Sequence, residues 1–162
     1  METKEDIVSF LKSIRTPESL VLIGMGNLDR SDDGLGIDLV SRLKTQHPDR
    51  VFSEHERSVE GIVLELFDRA EFETVLFIDA MDFGGKPGDV KIFSVNDIEK
   101  FVPAFSTHKI PISFLMKIIH ENGRKPFLLG VQPESLELFG EMSLSVKTTL
   151  DRLSEKLTQF LI

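Results

Sequence analysis

Three short, uninterrupted apolar runs constrain the fold of this chain more than any other feature. They span Ser19–Gly24, Thr74–Ile78 and Phe127–Val131, and none of them contains a charged residue. Runs of this length without polar alternation are typical of strands that are buried on both faces, as in a parallel sheet covered by helices. The sequence therefore predicts three central strands of an α/β sheet.

Amphipathic segments separate these strands. Two further strands are predicted at Val51–Glu54 and at Asp89–Phe93, and the second alternates polar and apolar residues as an edge strand does. Strands that alternate with helices imply right-handed crossovers and a mostly parallel sheet. The prediction is a single three-layer α/β/α domain over residues 1–162 with five strands. Apolar residues recur at helical spacing within Ile7–Ile14, Leu35–Leu43, Ile62–Phe67, Ile112–Ile119 and Val146–Leu161.

Composition excludes several classes of function. The chain has 162 residues and a formal net charge of −8, from 27 acidic and 19 basic side chains, which argues against a nucleic-acid partner. Cysteine is absent, so thiolate nucleophiles, disulfides and cysteine-based metal sites are excluded. No apolar run approaches the roughly 20 residues that span a bilayer, and the first residues do not form a secretory signal. We expect a cytoplasmic protein without a membrane partner.

Polar residues occur where the predicted strands end. Asp32 and Asp33 lie in the glycine-rich loop after the first strand, Asp79 directly follows another strand, and His108 ends the segment Ser106-Thr107-His108. Open α/β sheets bind their ligands in loops at the carboxyl ends of strands. Two carboxylates and an imidazole that converge there would make a small oxygen-and-nitrogen site for a divalent metal.

Each of these residues also has a purely structural interpretation. Asp32 and Asp33 could cap the helix that follows them, and Asp79 could form a turn. His108 could be a surface or capping histidine. Two adjacent carboxylates cannot both cap one helix well, so Asp33 remains available to face the carboxyl edge of the sheet.

The glycine loop also begins like a dinucleotide-binding fingerprint. Gly24 and Gly26 follow a strand and precede a helix, but the third glycine of that fingerprint would fall at Asp29. A carboxylate there, with Asp32 and Asp33 close by, would repel a pyrophosphate from the helix N-terminus. A nucleotide- or flavin-binding module is therefore kept only as an alternative.

Taken in order, several motifs resemble those of the hydrogenase maturation proteases, the endopeptidases that process the large subunit of nickel–iron hydrogenases. The similarity runs from about Leu20 to the final helix. The helix within residues 1–17 is similar to the N-terminal extension of archaeal-type members, which suits an energy-converting or cofactor-reducing hydrogenase as the target. The motifs are Gly24-Met25-Gly26-Asn27, Asp32-Asp33-Gly34-Leu35-Gly36, Ile78-Asp79-Ala80, Pro87-Gly88, Ser106-Thr107-His108 and Gly130-Val131-Gln132-Pro133.

The resemblance implies a concrete reaction. Family members cut a short C-terminal extension from the large-subunit precursor after nickel has been inserted. The metal-binding acidic residue in the family's glycine loop corresponds to Asp33, its second carboxylate to Asp79 and its histidine to His108. Asp33 and Asp79 are then also the expected catalytic residues. The fold that the resemblance implies is a twisted five-stranded sheet between helices.

Nickel is the metal implied, and the precursor is expected to supply it. We expect Asp33, Asp79 and His108 to engage nickel that is already in the precursor, so that the ion reports that loading is complete. The ion could lower the pKa of a bound water or polarise the scissile carbonyl. Alternatively, a carboxylate could act as general base while the metal positions the tail. Asp82 and Glu60 are nearby acidic residues without an assigned role.

One segment departs from the family pattern. Bacterial members carry a glycine-rich Gly-Thr-x-Gly-like stretch between the second strand and the next helix, where this chain has Arg57-Ser58-Val59-Glu60-Gly61. That stretch is associated with recognition of the substrate tail, so the departure concerns which precursor is cut. A non-catalytic chaperone that escorts the precursor is a further alternative.

Overall fold

A computed structural model describes residues 4–100 and 111–162, with side chains from residue 7 onward. These residues form six helices and five strands. Two short 3-10 turns, Pro17–Ser19 and Ser31–Gly34, flank the first strand. In chain order the elements are α1 (Lys4–Ser13), β1 (Leu20–Gly24), α2 (Leu35–Lys44), β2 (Val51–Ser53), α3 (Val59–Leu66), β3 (Thr74–Ala80), β4 (Val90–Phe93), α4 (Val95–Lys100), α5 (Ile112–Glu121), β5 (Lys125–Val131) and α6 (Leu144–Leu161).

The five strands form one sheet in the order β2-β1-β3-β5-β4. All neighbouring pairs are parallel except β4 with β5, which is antiparallel. The chain leaves β1 toward β2 on one side and returns to β3 on the other, so the strand order reverses at β1. Ligands of open α/β sheets bind at such a switch point, outside the carboxyl ends of the strands. The topology thus singles out the carboxyl ends of β1 and β3.

Alternate residues of the central strands enter two separate apolar cores. In β1, Leu20 and Leu22 point toward α1, α2 and α6, whereas Val21 and Ile23 point toward α3 and α5. Every residue of β1 is buried, which explains why its sequence is apolar on both faces. The predicted mostly parallel α/β sheet with helices on both faces is confirmed.

Three element predictions need correction. Asp79 does not end its strand, because β3 continues through Ala80, where Asp79 pairs with Gly130 and Ala80 with Val131 of β5. The third helix begins at Val59 instead of Ile62, since the Ser58 hydroxyl accepts a hydrogen bond from the backbone N–H of Gly61 and caps it. Residues 57–61 therefore include the start of a helix. The short helix α4 was not predicted. The last helix was predicted to start near Ser143, and this is confirmed, because it begins at Leu144 with Ser143 as its cap.

The longest helix, α6, is strongly two-sided. Its 18 residues place Val146, Leu150, Leu153, Leu157 and Leu161 in the core, while its charged residues lie on the other side. Helices of this pattern pack against a sheet. Within the described ranges, no helix is both long enough and apolar enough to cross a membrane.

Two glycines let α2 approach the sheet closely at the switch point. A Cβ on Gly36 would lie 2.3 Å from the carbonyl oxygen of Ile78 and 2.4 Å from that of Met25. A Cβ on Gly24 would lie 2.2 Å from the carbonyl oxygen of Gly36. The glycines therefore set the position of the first turn of α2 against β1 and β3.

The substitution Gly36→Ala is expected to lower the free energy of unfolding by about 2 kcal/mol, because α2 must move away from two backbone carbonyls. Urea unfolding measures this change. Gly61→Ala is the matched control: it also lies in a helix, and its Cβ would meet only the Ser58 hydroxyl, at 3.0 Å. Equal stabilities of the two variants would contradict the packing argument.

Candidate functional site

The loop after β1 turns sharply at Gly26. Its φ of 133° is a conformation that glycine adopts and other residues rarely do. A Cβ here would lie 2.0 Å from the carbonyl oxygen of Asp33, and that same oxygen accepts a hydrogen bond from the backbone N–H of Asn27 at 3.1 Å. The loop therefore closes on itself and holds the backbone of Asp33 against Gly26.

Asp79 brings a carboxylate to this glycine from β3. Its Oδ1 lies 3.4 Å from the position that a Cβ on Gly26 would occupy, and it accepts a hydrogen bond from the backbone N–H of Ala80 at 2.8 Å. The position follows from the register, because Gly24, the last residue of β1, pairs with Ile78, and Asp79 is the next residue of β3. The absence of a side chain on Gly26 leaves room for the carboxylate of Asp79.

Glu54 brings a second carboxylate, from the residue after β2. Its Oε1 accepts a hydrogen bond from the backbone N–H of Gly26 at 3.0 Å. Its own backbone N–H donates to the carbonyl oxygen of Gly24 at 2.9 Å, which continues the β1–β2 pairing. The sequence analysis did not single out Glu54. The predicted second strand included Glu54, whereas β2 ends at Ser53, and the contact of Glu54 with Gly26 depends on how β1 and β2 pair.

Asp33 and His108 are the other two predicted site residues. Asp33 is half-buried and lies, through its backbone, beside Gly26. His108 lies outside the described residues. The structure therefore brings together the carboxylate of Asp79 and the backbone of Asp33, and the three-residue metal site as a whole stays a prediction.

The donor set can be compared with what nickel requires. Carboxylate oxygens and an imidazole nitrogen suit a divalent nickel ion. Across residues 7–100 and 111–162, no three side chains of His, Cys, Asp or Glu lie close enough together to hold a metal ion. Of the three predicted ligands, Asp33 and Asp79 lie within the described residues, and their carboxylates are of the donor type that such an ion accepts.

Asp32 has a different role from its neighbour. Its side chain is fully buried. It accepts hydrogen bonds from the backbone N–H groups of Glu134, Ser135 and Ser143 at 2.8, 3.0 and 2.7 Å, and from the Ser143 hydroxyl. The expected capping of α2 by Asp32 is wrong, because the carboxylate instead ties the β1–α2 loop to the loop between β5 and α6. Asp33 is the next residue in the chain, so it lies beside this connection between the two loops.

Gln132 organises the loop that follows Asp79. Its Oε1 accepts hydrogen bonds from the backbone N–H groups of Phe83 and Gly85, and its Nε2 donates to Asp82 at 3.0 Å. The hydrogen bond from Gln132, followed by that from the Gly84 N–H, lowers the pKa of Asp82 below its usual value. The carboxylate of Asp82 thus helps to order the loop that follows Asp79.

Comparison with known proteins places these residues in context. The family model for hydrogenase maturation proteases of the HycI type matches residues 62–160, which include Asp79. The chain is similar to the solved structure of a [NiFe] hydrogenase maturation protease HycI from Thermococcus kodakarensis. That similarity has a TM-score of 0.76 at 28% identity and covers 96% of this chain and 98% of the other.

Two relatives extend the comparison. Hydrogenase expression/formation protein HoxM of Azotobacter vinelandii is 30% identical over 132 residues, which are 77% of this chain and 63% of HoxM. The hydrogenase 3 maturation protease of Escherichia coli K12 is 29% identical over 84 residues, or 51% of this chain and 53% of that protein. The matched segments thus span less than two thirds of either relative. With more than half of its length matched by the family model, the chain belongs to the hydrogenase maturation protease family.

Proposed function

We propose that this chain is the endopeptidase that removes the C-terminal extension from the nickel-loaded precursor of a nickel–iron hydrogenase large subunit. One observation supports this most. Carboxylates from β2 and β3 meet at Gly26, at the switch point of the sheet, in a chain that belongs to this family. A ligand-binding crevice is expected there in α/β folds.

In this proposal nickel belongs to the substrate. Asp33, Asp79 and His108 would bind the ion from one side while the precursor holds it from the other. The ion would polarise the scissile carbonyl or lower the pKa of a water molecule. An enzyme whose three ligands hold the ion too weakly to retain it would act only on a precursor that already contains it, and this dependence couples cleavage to nickel loading.

Glu54 is the general base that we assign to the reaction. Its Oε1 accepts a hydrogen bond from the Gly26 N–H, which holds the carboxylate at the site, and in this proposal it accepts a proton from an attacking water while Asp33, Asp79 and His108 bind the ion.

The variant Glu54→Gln is expected to cleave the precursor about 100-fold more slowly, since glutamine keeps the oxygen that accepts from Gly26 but cannot take up a proton. The acid limb of the pH–rate profile should be absent in this variant. Single-turnover cleavage across pH measures both effects. Glu56→Gln is the control, because Glu56 is exposed and pairs with Lys44. A slow variant that kept the wild-type pH profile would overturn the assignment of the base.

Intact mass spectrometry of nickel-loaded precursor after incubation with the chain tests the proposed activity. A single loss of mass that corresponds to a C-terminal peptide is expected. A stable complex with unchanged precursor mass would instead identify a chaperone. No mass change together with a nucleotide dissociation constant below about 1 mM, equivalent to about 4 kcal/mol, would favour the nucleotide-binding alternative.

A further inference from the structure

An exposed apolar patch adjoins the candidate site. It is formed by the β1–α2 loop and by the segment that joins β5 to α6, and it contains five of the eight large apolar side chains that are exposed in the described part of the chain. Large apolar patches on a protein surface usually mark a binding site. We call this the loop patch; its members are Leu28, Leu136, Leu138, Phe139 and Leu144, which are 45–79% exposed.

The two segments of the loop patch are held rigidly together. The backbone N–H of Phe139 donates to the carbonyl oxygen of Asp29 at 2.5 Å, and the Ser31 hydroxyl donates to the carbonyl oxygen of Glu141 at 2.6 Å. The buried carboxylate of Asp32 joins the same two segments. The loop patch and the candidate site therefore share the β1–α2 loop, which carries both Leu28 and Asp33.

Phe139 combines exposure with an unfavourable backbone conformation. Its ring is 78% exposed, and its φ of 61° lies in the left-handed region, where a bulky side chain is rare. Asparagine or glycine would adopt this conformation with less strain. Strained residues are concentrated at functional sites. The backbone N–H of Phe139 joins the two segments, but that bond does not require an aromatic side chain, and an exposed ring at a strained position points to a role in binding.

Charge indicates the chemistry of the partner. The segment 134–141 has three exposed acidic residues and no basic residue, namely Glu134, Glu137 and Glu141. The β1–α2 loop adds the exposed Asp29 and Arg30, whose charges cancel, so the rim of the patch has a net negative charge. A second copy of this chain would bring the same acidic rim against itself, and anionic lipid headgroups would be repelled by it. The rim favours an apolar surface that carries lysine or arginine.

We infer that the loop patch docks the hydrogenase large-subunit precursor through an apolar stretch of its chain that is flanked by basic side chains, next to the bond to be cut. The inference rests on the proposed function and adds a recognition surface outside the metal site. Docking there would place the scissile bond over Gly26, since the patch and the site share the β1–α2 loop. Specificity would then come from a surface as well as from nickel.

Steady-state cleavage of nickel-loaded precursor by Phe139→Asn tests the inference. We expect KM to rise by about 10-fold or more, as for loss of an aromatic anchor, with kcat within about threefold of wild type. The unfolding midpoint in urea should stay the same or rise, because asparagine tolerates the left-handed conformation. Leu64→Asn is the matched control. Leu64 is 66% exposed on α3, and α3 packs on the opposite face of the sheet from α2 and α6. The KM of this variant should equal that of the wild type.

The rim is tested with the double variant Glu137→Lys/Glu141→Lys, whose KM should rise further and lose its dependence on salt. Cleavage by Phe139→Asn with a wild-type KM would overturn the docking surface and leave the proposed function intact. A wild-type dimer that Phe139→Asn converts to a monomer would identify a self-association face instead. If wild-type protein leaves the nickel-loaded precursor uncut, the proposed function fails, and this inference fails with it.

Discussion

Replacement of Asp79 by asparagine is expected to slow cleavage of nickel-loaded precursor by about 1,000-fold, the effect of removing a charge that acts on the reacting group. The fold should survive, because the asparagine oxygen can still accept the hydrogen bond from the Ala80 N–H. The lost negative charge lies beside Gly26, since Oδ1 of Asp79 is 3.4 Å from the position that a Cβ on this glycine would occupy. Single-turnover cleavage followed by intact mass measures the loss.

Asp82→Asn is the matched control for Asp79→Asn. It removes the same charge three residues away, from a carboxylate that the Gln132 side chain and the Gly84 N–H already hold. Its cleavage rate should stay within about threefold of wild type. Comparable losses in the two variants would mean that net charge, and not the position of Asp79, governs the reaction.

Replacement of Asp32 by alanine is expected to lower the free energy of unfolding by about 4 kcal/mol, the range seen when a buried charged network loses one partner. Three backbone N–H groups, from Glu134, Ser135 and Ser143, would lose their acceptor in a fully buried place. Urea unfolding measures the loss. Cleavage should also weaken, because Asp33 would lose the anchor beside it.

Asp29→Ala is the control for Asp32→Ala. Asp29 lies in the same loop, and its side chain is exposed. The backbone carbonyl oxygen of Asp29 accepts a hydrogen bond from the backbone N–H of Phe139, and alanine keeps this oxygen. The free energy of unfolding should change by less than about 0.5 kcal/mol. If alanine at residue 32 were tolerated equally well, Asp32 would not hold the two loops together.

Much of the sheet could be predicted from local sequence. The runs at β1, β3 and β5 are apolar on both faces because helices cover both, and this pattern is visible residue by residue. The edge position of β4 was predicted from its alternation and is confirmed by its single antiparallel partner, β5. Strand order could not be predicted, since it depends on which crossovers pack together.

The roles of adjacent acidic residues could not be separated from sequence. Asp32 and Asp33 are neighbours, but the partners of Asp32 lie more than 100 residues away, in the loop before α6. The end of β3 was misplaced for a similar reason, because its last two residues are paired by β5. Glu54 was missed because its contact with Gly26 depends on the register of β1 with β2.

The central claim is that this site acts on a precursor only through the nickel that the precursor carries. Its most direct test is the intact mass of nickel-loaded and nickel-free precursor, each incubated with the wild-type chain at equal concentration. The account predicts loss of a C-terminal peptide from the loaded precursor and an unchanged mass for the nickel-free one. Equal cleavage of both would contradict it.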